Sequence, residues 1–189
     1  MPITIAGSGT ITGLSQGGLP ANSVTSATCN FSPGKVLNVV EATTETEVTN
    51  NTTTMADTGL SASITPASGS KVLIYVNQSM WQYRNRNSTN NQGGALNILR
   101  GSTVIWDSKN DDNNVYADWW VGGISVQNYT FRVSYNMLDD SPGGNGSTAI
   151  TYKTQFSLTY ADDSGQMSAQ PSDNDKNGRS SIVLMEIAA

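Results

Sequence analysis

Two stretches of the chain alternate apolar and polar residues with a period of two, a spacing that a strand buries on one face and a helix cannot. Between Ile124 and Met137, Tyr129, Phe131, Val133, Tyr135 and Met137 fall on one side, while Asn128, Thr130, Arg132, Ser134 and Asn136 fall on the other. Thr151 to Tyr160 repeats the design, with Tyr152, Phe156, Leu158 and Tyr160 inward and Lys153, Gln155, Ser157 and Thr159 outward. No run of ten or more residues sustains a helical apolar period, and Leu, Glu, Ala and Lys never concentrate together. Helix should be minor.

Shorter runs between polar turns complete an all-β pattern from Lys35 onward. They are Lys35 to Ala42, Thr44 to Asn50, and Leu60 to Thr65 ahead of Pro66. Lys71 to Val76 is apolar on both faces, which marks a central strand, and its continuation to Tyr83 becomes half polar. Ala95 to Arg100 and Thr103 to Trp106 flank Gly101-Ser102, a hairpin turn. Ser181 to Ile187 is the final strand, with Val183, Met185 and Ile187 on one face and Ile182 and Leu184 on the other. So many short strands in 189 residues imply one jelly-roll-like antiparallel β-sandwich over residues 35–189.

Residues 1–34 differ. Gly7, Gly9, Gly13, Gly17 and Gly18 punctuate short Thr/Ile pieces, Leu19-Pro20 interrupts any strand, and Pro33-Gly34 marks the end. Such a segment cannot build its own core, and the expectation is an extended N-terminal arm that orders against neighbouring subunits. The long polar links Asn85 to Gly94, Asp107 to Asn114 and Leu138 to Ser147 exceed hairpin length and are read as functional or inter-subunit loops.

Composition removes whole classes of function. The formal net charge is -5 and the ten basic residues are scattered, which argues against a nucleic-acid partner. Histidine is absent, so imidazole catalysis and imidazole metal ligation are excluded, and a lone Cys29 makes neither an intrachain disulfide nor a cysteine metal cluster. Met1 to Ala6 lacks the basic start and long apolar stretch of a secretory signal, and no run approaches the ~20 apolar residues of a membrane span. The expectation is a soluble chain without membrane insertion, on which Asn51-Thr52-Thr53 and Asn128-Tyr129-Thr130 carry little weight as glycosylation sites.

Four motifs come close to chemistry. Asp173-Asn174-Asp175-Lys176-Asn177-Gly178 reproduces the first half of a calcium loop, but its twelfth position is Leu184 where a bidentate Glu is needed. A solvated Asn177-Gly178 hairpin turn fits better, and no metal or cofactor is expected. The pairs Asp111-Asp112, Asp139-Asp140 and Asp162-Asp163 read as solvated turns rather than as carboxylates facing each other across a sugar. Serine and threonine are abundant without a histidine to activate them or a Gly-X-Ser-X-Gly elbow, and Gly7 to Gly13 lacks the lysine of a phosphate loop. The chain is read as non-enzymatic, with no catalytic residue.

Aromatic residues are the remaining recognition candidates, because exposed rings stack on sugars and receptors while buried ones fill a core. Trp119 and Trp120 are adjacent, so in a strand they face opposite sides. At most one joins a given core; the other is either covered by a neighbouring subunit or exposed for recognition. Trp81 and Tyr83 share one face beside Arg84 and form a second candidate patch.

Three passages carry a family resemblance: GSGTITGLSQGGLPANSVT at Gly7 to Thr25, the run from Pro33 to Val76 containing ADTGLSASITP and SGSKVLI, and ITYKTQFSL with SSIVLMEIAA at Ile150 to Leu158 and Ser180 to Ala189. Together these resemble small tail-fibre-like proteins and fibre tips encoded by marine phages and cyanophages. The resemblance implies a virion location, a symmetric homo-oligomer that is commonly a trimer, and an arm that attaches to other virion proteins. It transfers no catalytic or ligand residue. It implies a structural protein of tail- or head-fibre type for assembly and attachment to a host surface glycan or protein. A capsid decoration protein is the alternative, and a carbohydrate-active enzyme stands third.

Overall fold

The computed structural model describes residues 35–84, 92–108, 119–121, 127–159, 165–173 and 176–188, with the backbone alone for 84, 92, 119–121, 127, 173, 176 and 177. The expected arm, residues 1–34, lies outside them, as do most of the links after Arg84 and Ser108. The described residues contain strands and no helix.

One sheet holds β1 (Val36–Thr44), β13 (Ser180–Ile187), β4 (Lys71–Arg84) and β8 (Gln127–Asp139), with β10 (Gln166–Ala169) and β2 (Val48–Thr49) continuing from the far half of β4. The second holds β3 (Ala56–Ile64), β9 (Ile150–Leu158), β5 (Gln92–Arg100) and β6 (Thr103–Asp107), with β7 (Trp119–Val121) on β5. A hairpin of β11 (Ser172–Asp173) and β12 (Lys176–Asn177) stands apart. All pairings are antiparallel.

Counting the eight principal strands β1, β3, β4, β5, β6, β8, β9 and β13 in chain order, one sheet runs first-eighth-third-sixth and the other second-seventh-fourth-fifth. That is the interleaved order of a jelly roll, as the strand pattern predicts. Residues from both inner faces fill one core, including Leu60, Ile64, Ile74, Met80, Leu96, Ile98, Tyr152, Phe156 and Leu184, all essentially inaccessible. Burying side chains of this size from two facing sheets is what holds the sandwich closed, at roughly 25 cal/mol per Å² of apolar area.

β4 is the central strand that its doubly apolar start requires. β13 lies beside its first half, β10 beside its second, and β8 along all of it. The strand expected from Thr44 to Asn50 shrinks to Val48–Thr49. The Asn50 backbone N–H still donates to the Met167 carbonyl (2.9 Å), while its buried side-chain amide donates to the carbonyls of Thr54 (2.9 Å) and Phe156 (2.8 Å) and holds the turn that ends the strand. Leu138, assigned to a loop by its polar neighbours, is paired in β8 opposite Leu73. Ser157, expected outward, is buried opposite the equally buried Ala95. On the outside of the second sheet Asp57 accepts from Lys153 Nζ (2.8 Å) and Gln155 Nε2 (2.7 Å). Partial burial pushes the Asp57 carboxyl up, but those two hydrogen bonds and the lysine charge outweigh it and hold it below the usual range.

Two polar clusters join the sheets through the core. At one end Asp139 of β8 accepts both carboxylate bonds from Arg100 Nη1 of β5 (2.9 Å each) and one from the Tyr152 hydroxyl of β9 (2.8 Å). At the other, Gln78, Ser180 and Gln170 meet Thr58 and Thr154. The Ser180 hydroxyl accepts from Gln78 Nε2 and from the Ser79 N–H (2.9 Å each). With its amide oxygen facing Ser180 (2.8 Å), Gln170 donates through its nitrogen to the carbonyls of Thr58 (2.8 Å) and Thr46 (3.1 Å). Thr154 bonds Thr58 (2.6 Å) and donates to Gln78 Oε1 (3.1 Å), which carries the chain of hydrogen bonds into the second sheet.

Candidate functional site

The outer face of β4 passes from Leu73 and Tyr75 through Asn77 and Ser79 to Trp81 and Tyr83, because alternate residues of one strand share a face. The register with β8 sets Arg132 opposite Ser79, Thr130 opposite Trp81 and Asn128 opposite Tyr83. The polar side of the alternating β8 sequence therefore lands beside the rings. Trp81 and Tyr83 lie nearly parallel, 18° apart with centroids 6.2 Å from each other, and the Trp81 indole N–H donates to Asn128 Oδ1.

A wall makes this end a groove. Gln170 ends β10 in the left-handed region (φ 51), a conformation that costs a non-glycine residue on the order of 1 kcal/mol and that its buried amide network holds in place. The turn sends Pro171 and the β11–β12 hairpin back over the sheet. Gly178 donates to the Pro171 carbonyl (2.8 Å) and sits so close to Ser79 that a Cβ there would collide with the serine side chain. This corrects the expected Asn177-Gly178 turn. Asn177 pairs with Ser172 in the hairpin, and glycine is required at 178 by close approach to β4 rather than by turn geometry. The oxygen ligands of the half calcium motif fall on side chains outside the described residues, and the described residues include no group of three metal-ligating side chains.

The groove has a volume of about 740 Å³, inside the range of roughly 300–1,000 Å³ common for small-ligand sites. Trp81 lies among its lining with Asn128, Thr130 and Arg132 of β8, and Glu47 and Ser172 face them. Glu47 Oε2 accepts from the Ser172 hydroxyl (2.8 Å), and Arg132 donates to the Arg179 carbonyl (2.9 Å) and Asn77 Oδ1 (3.3 Å). One carboxylate and one guanidinium balance, so the groove carries donors and acceptors around an indole without a strong net charge.

Of the predicted recognition residues, the structure brings Trp81 and Tyr83 together. Arg84 ends β4 beside them, but its side chain lies outside the described residues. Trp119 and Trp120 pair with Gly94 and Gly93 in the second sheet, on a different sheet from Trp81, and their side chains too lie outside the described residues. Sequence reasoning missed Glu47, Asn128, Thr130, Arg132 and Ser172. The alternation of β8 places Asn128, Thr130 and Arg132 on its outward polar face, and only the register with β4 sets them beside Trp81.

No protein-family model matches the chain, and a search of curated proteins finds no match. Among the described residues no helix is long and apolar enough to cross a membrane.

Proposed function

We propose that this chain is a non-enzymatic structural protein of a tailed-phage virion, of tail- or head-fibre type, which assembles as a homo-oligomer and attaches the particle to a host surface glycan. The groove at Trp81 carries this reading. An indole supplies a flat apolar surface for the C–H face of a sugar, and the amide, hydroxyl and charged groups around it match the hydroxyls at the sugar's edge. Near-balanced charge favours a neutral saccharide. The resemblance to fibre-type proteins supplies the virion location and the expectation of a trimer held to the particle through residues 1–34.

The described lining supports binding over hydrolysis, since Glu47 is its one carboxylate and glycoside cleavage uses two facing each other. The test is a glycan array probed with the wild-type chain and with Trp81→Ala. Removing the ring should weaken the best-bound neutral glycan about tenfold, near 1.4 kcal/mol, in a chain that still unfolds in one cooperative thermal transition. Equal binding by both proteins would remove the groove from the attachment reading. Electron microscopy of particles labelled through this subunit tests the location, and unlabelled particles would overturn it.

A further inference from the structure

The opposite end of the same sheet face poses a separate question. Among the described residues seven large hydrophobic side chains are well exposed, and five of them, Val36, Leu37, Val39, Tyr75 and Leu138, cluster here; Val104 and Tyr129 lie elsewhere. Registers across β1, β13, β4 and β8 align Val39, Met185, Leu73 and Leu138 in one unbroken apolar row. The row beside it reads Glu41, Val183, Tyr75 and Asn136, and the next, Thr43, Ser181, Asn77 and Ser134, is wholly polar. A contiguous apolar area with so sharp a border marks an interaction surface.

We infer that this face packs against the same face of a second copy of the chain about a two-fold axis. The flanking charges select that occupant. Glu41 sits on β1 one row to one side of the apolar row, and Lys71 sits on β4 one row to the other side, opposite Ile187. Glu41 on the edge strand β1 and Lys71 on β4, the third of the four strands, therefore lie diagonally across the apolar row. A two-fold axis lying between the two faces and crossing the Glu41–Lys71 line at right angles at its midpoint lays Glu41 of each copy over Lys71 of the other, the self-complementarity that an isologous contact requires. Residues 1–34 contain no charged side chain that could pair with Glu41 or Lys71.

Two apolar sheet faces stack at about 10 Å, as in a sandwich. Association through the β1 edge is disfavoured instead, because the bulge between Val36 and Asn38 interrupts its ladder. With strands about 4.8 Å apart and alternate residues about 6.8 Å apart, the apolar face covers roughly 20 Å by 20 Å, or about 400 Å² per copy. That is below the roughly 800 Å² per partner of a standard stable interface, so the contact is weak and concentration-dependent. It is additional to any axis that gathers subunits on a particle and does not depend on the glycan reading.

Sedimentation velocity of the full chain across micromolar to submillimolar concentration tests it. The wild-type mass should double with concentration, and Val39→Lys with Leu138→Lys, both at exposed positions, should abolish the doubling. The charge variants read the geometry without touching the apolar row. Glu41→Lys alone and Lys71→Glu alone should each weaken the doubling about tenfold, and the two together should restore it to within about twofold. A wild-type mass that never doubles, doubling that survives the lysine substitutions, or a double swap that fails to restore it would each overturn the proposal. A constant wild-type mass in which Leu138→Lys exposes residues 1–34 to protease would assign the face to the chain's own segment.

Discussion

The two ends of the β4–β8 outer face share strands, register and alternation, yet they present different chemistry to different kinds of partner. At the Leu73 end the surface is open, apolar and bordered by Glu41 and Lys71. At the Trp81 end the β11–β12 hairpin rises beside an indole ringed by amide, hydroxyl and charged groups. The inward alternation is the same at both ends, with Val72, Ile74, Val76, Gln78, Met80 and Gln82 facing the core along the whole strand. Inward residues hold the jelly roll, which leaves the outward ones free to differ, and the presence or absence of a wall decides between a small ligand and a second sheet.

What lies beneath each end differs as well. The apolar end stands on the ionic cluster of Arg100, Asp139 and Tyr152, while the groove end stands on the neutral chain of Gln78, Ser180, Gln170, Thr58 and Thr154. The largest expected effect follows from breaking the ionic support. Asp139 is 8% exposed and Arg100 28%. Asp139→Ala strips the buried Tyr152 hydroxyl of its partner and leaves the half-exposed Arg100 guanidinium with the Ser141 carbonyl alone, and it should cost about 2–3 kcal/mol in urea unfolding. If the two ends are independent, folded Asp139→Ala protein should bind glycan as the wild type does; a matching loss of affinity would show that they are coupled.

The groove end has its own weak point in Gly178. A methyl group there meets Ser79 and lies 3.0 Å from Pro171 Cδ, so Gly178→Ala should destabilise by about 1–3 kcal/mol and shift the hairpin that walls the groove. Glycan affinity should fall with it, while the concentration-dependent doubling of mass stays put. Ser79→Ala in the same chain removes the hydroxyl that the new methyl strikes and should recover part of both losses. A double mutant no better than Gly178→Ala alone would mean that the hairpin is not braced at Ser79.

The jelly roll was legible in the sequence because alternation is a property of each strand alone. Tyr152 and Phe156 had to face inward whatever lay beside them, and the doubly apolar start of β4 needed neighbours on both sides. The groove was legible only in part. Trp81 and Tyr83 sit two apart on one strand, so their shared face could be read directly. Asn128 and Thr130 reach them through a register fixed by the whole β4–β8 ladder; Ser172 arrives through a left-handed turn at Gln170 that no glycine announces, and there meets Glu47 from the link between β1 and β2. Asp139 was read as a solvated turn beside Asp140. Its burial depends on an arginine and a tyrosine 39 and 13 residues away, beyond the reach of any local pattern.

The ionic support also gives the apolar end a pH dependence that the neutral support withholds from the groove. Burial pushes the Tyr152 phenol well above its ordinary pKa of 10.0, since a phenolate would lose its hydration, and the hydrogen bond to Asp139 and that carboxylate's charge push the same way. The folded chain therefore holds this proton more tightly than the unfolded chain does. The stability it contributes is complete below pH 10 and drains away as the pH climbs past that value, at up to about 1.4 kcal/mol per pH unit. Tyr152→Phe should cost about 1–1.5 kcal/mol at neutral pH through the lost hydrogen bond and should remove this alkaline decline. Urea unfolding of the two proteins between pH 8 and 11 should then show their stabilities converging above pH 10. Parallel curves would mean that the phenol is wet enough to ionise in the folded state, and the dry ionic support under the apolar end would have to be abandoned.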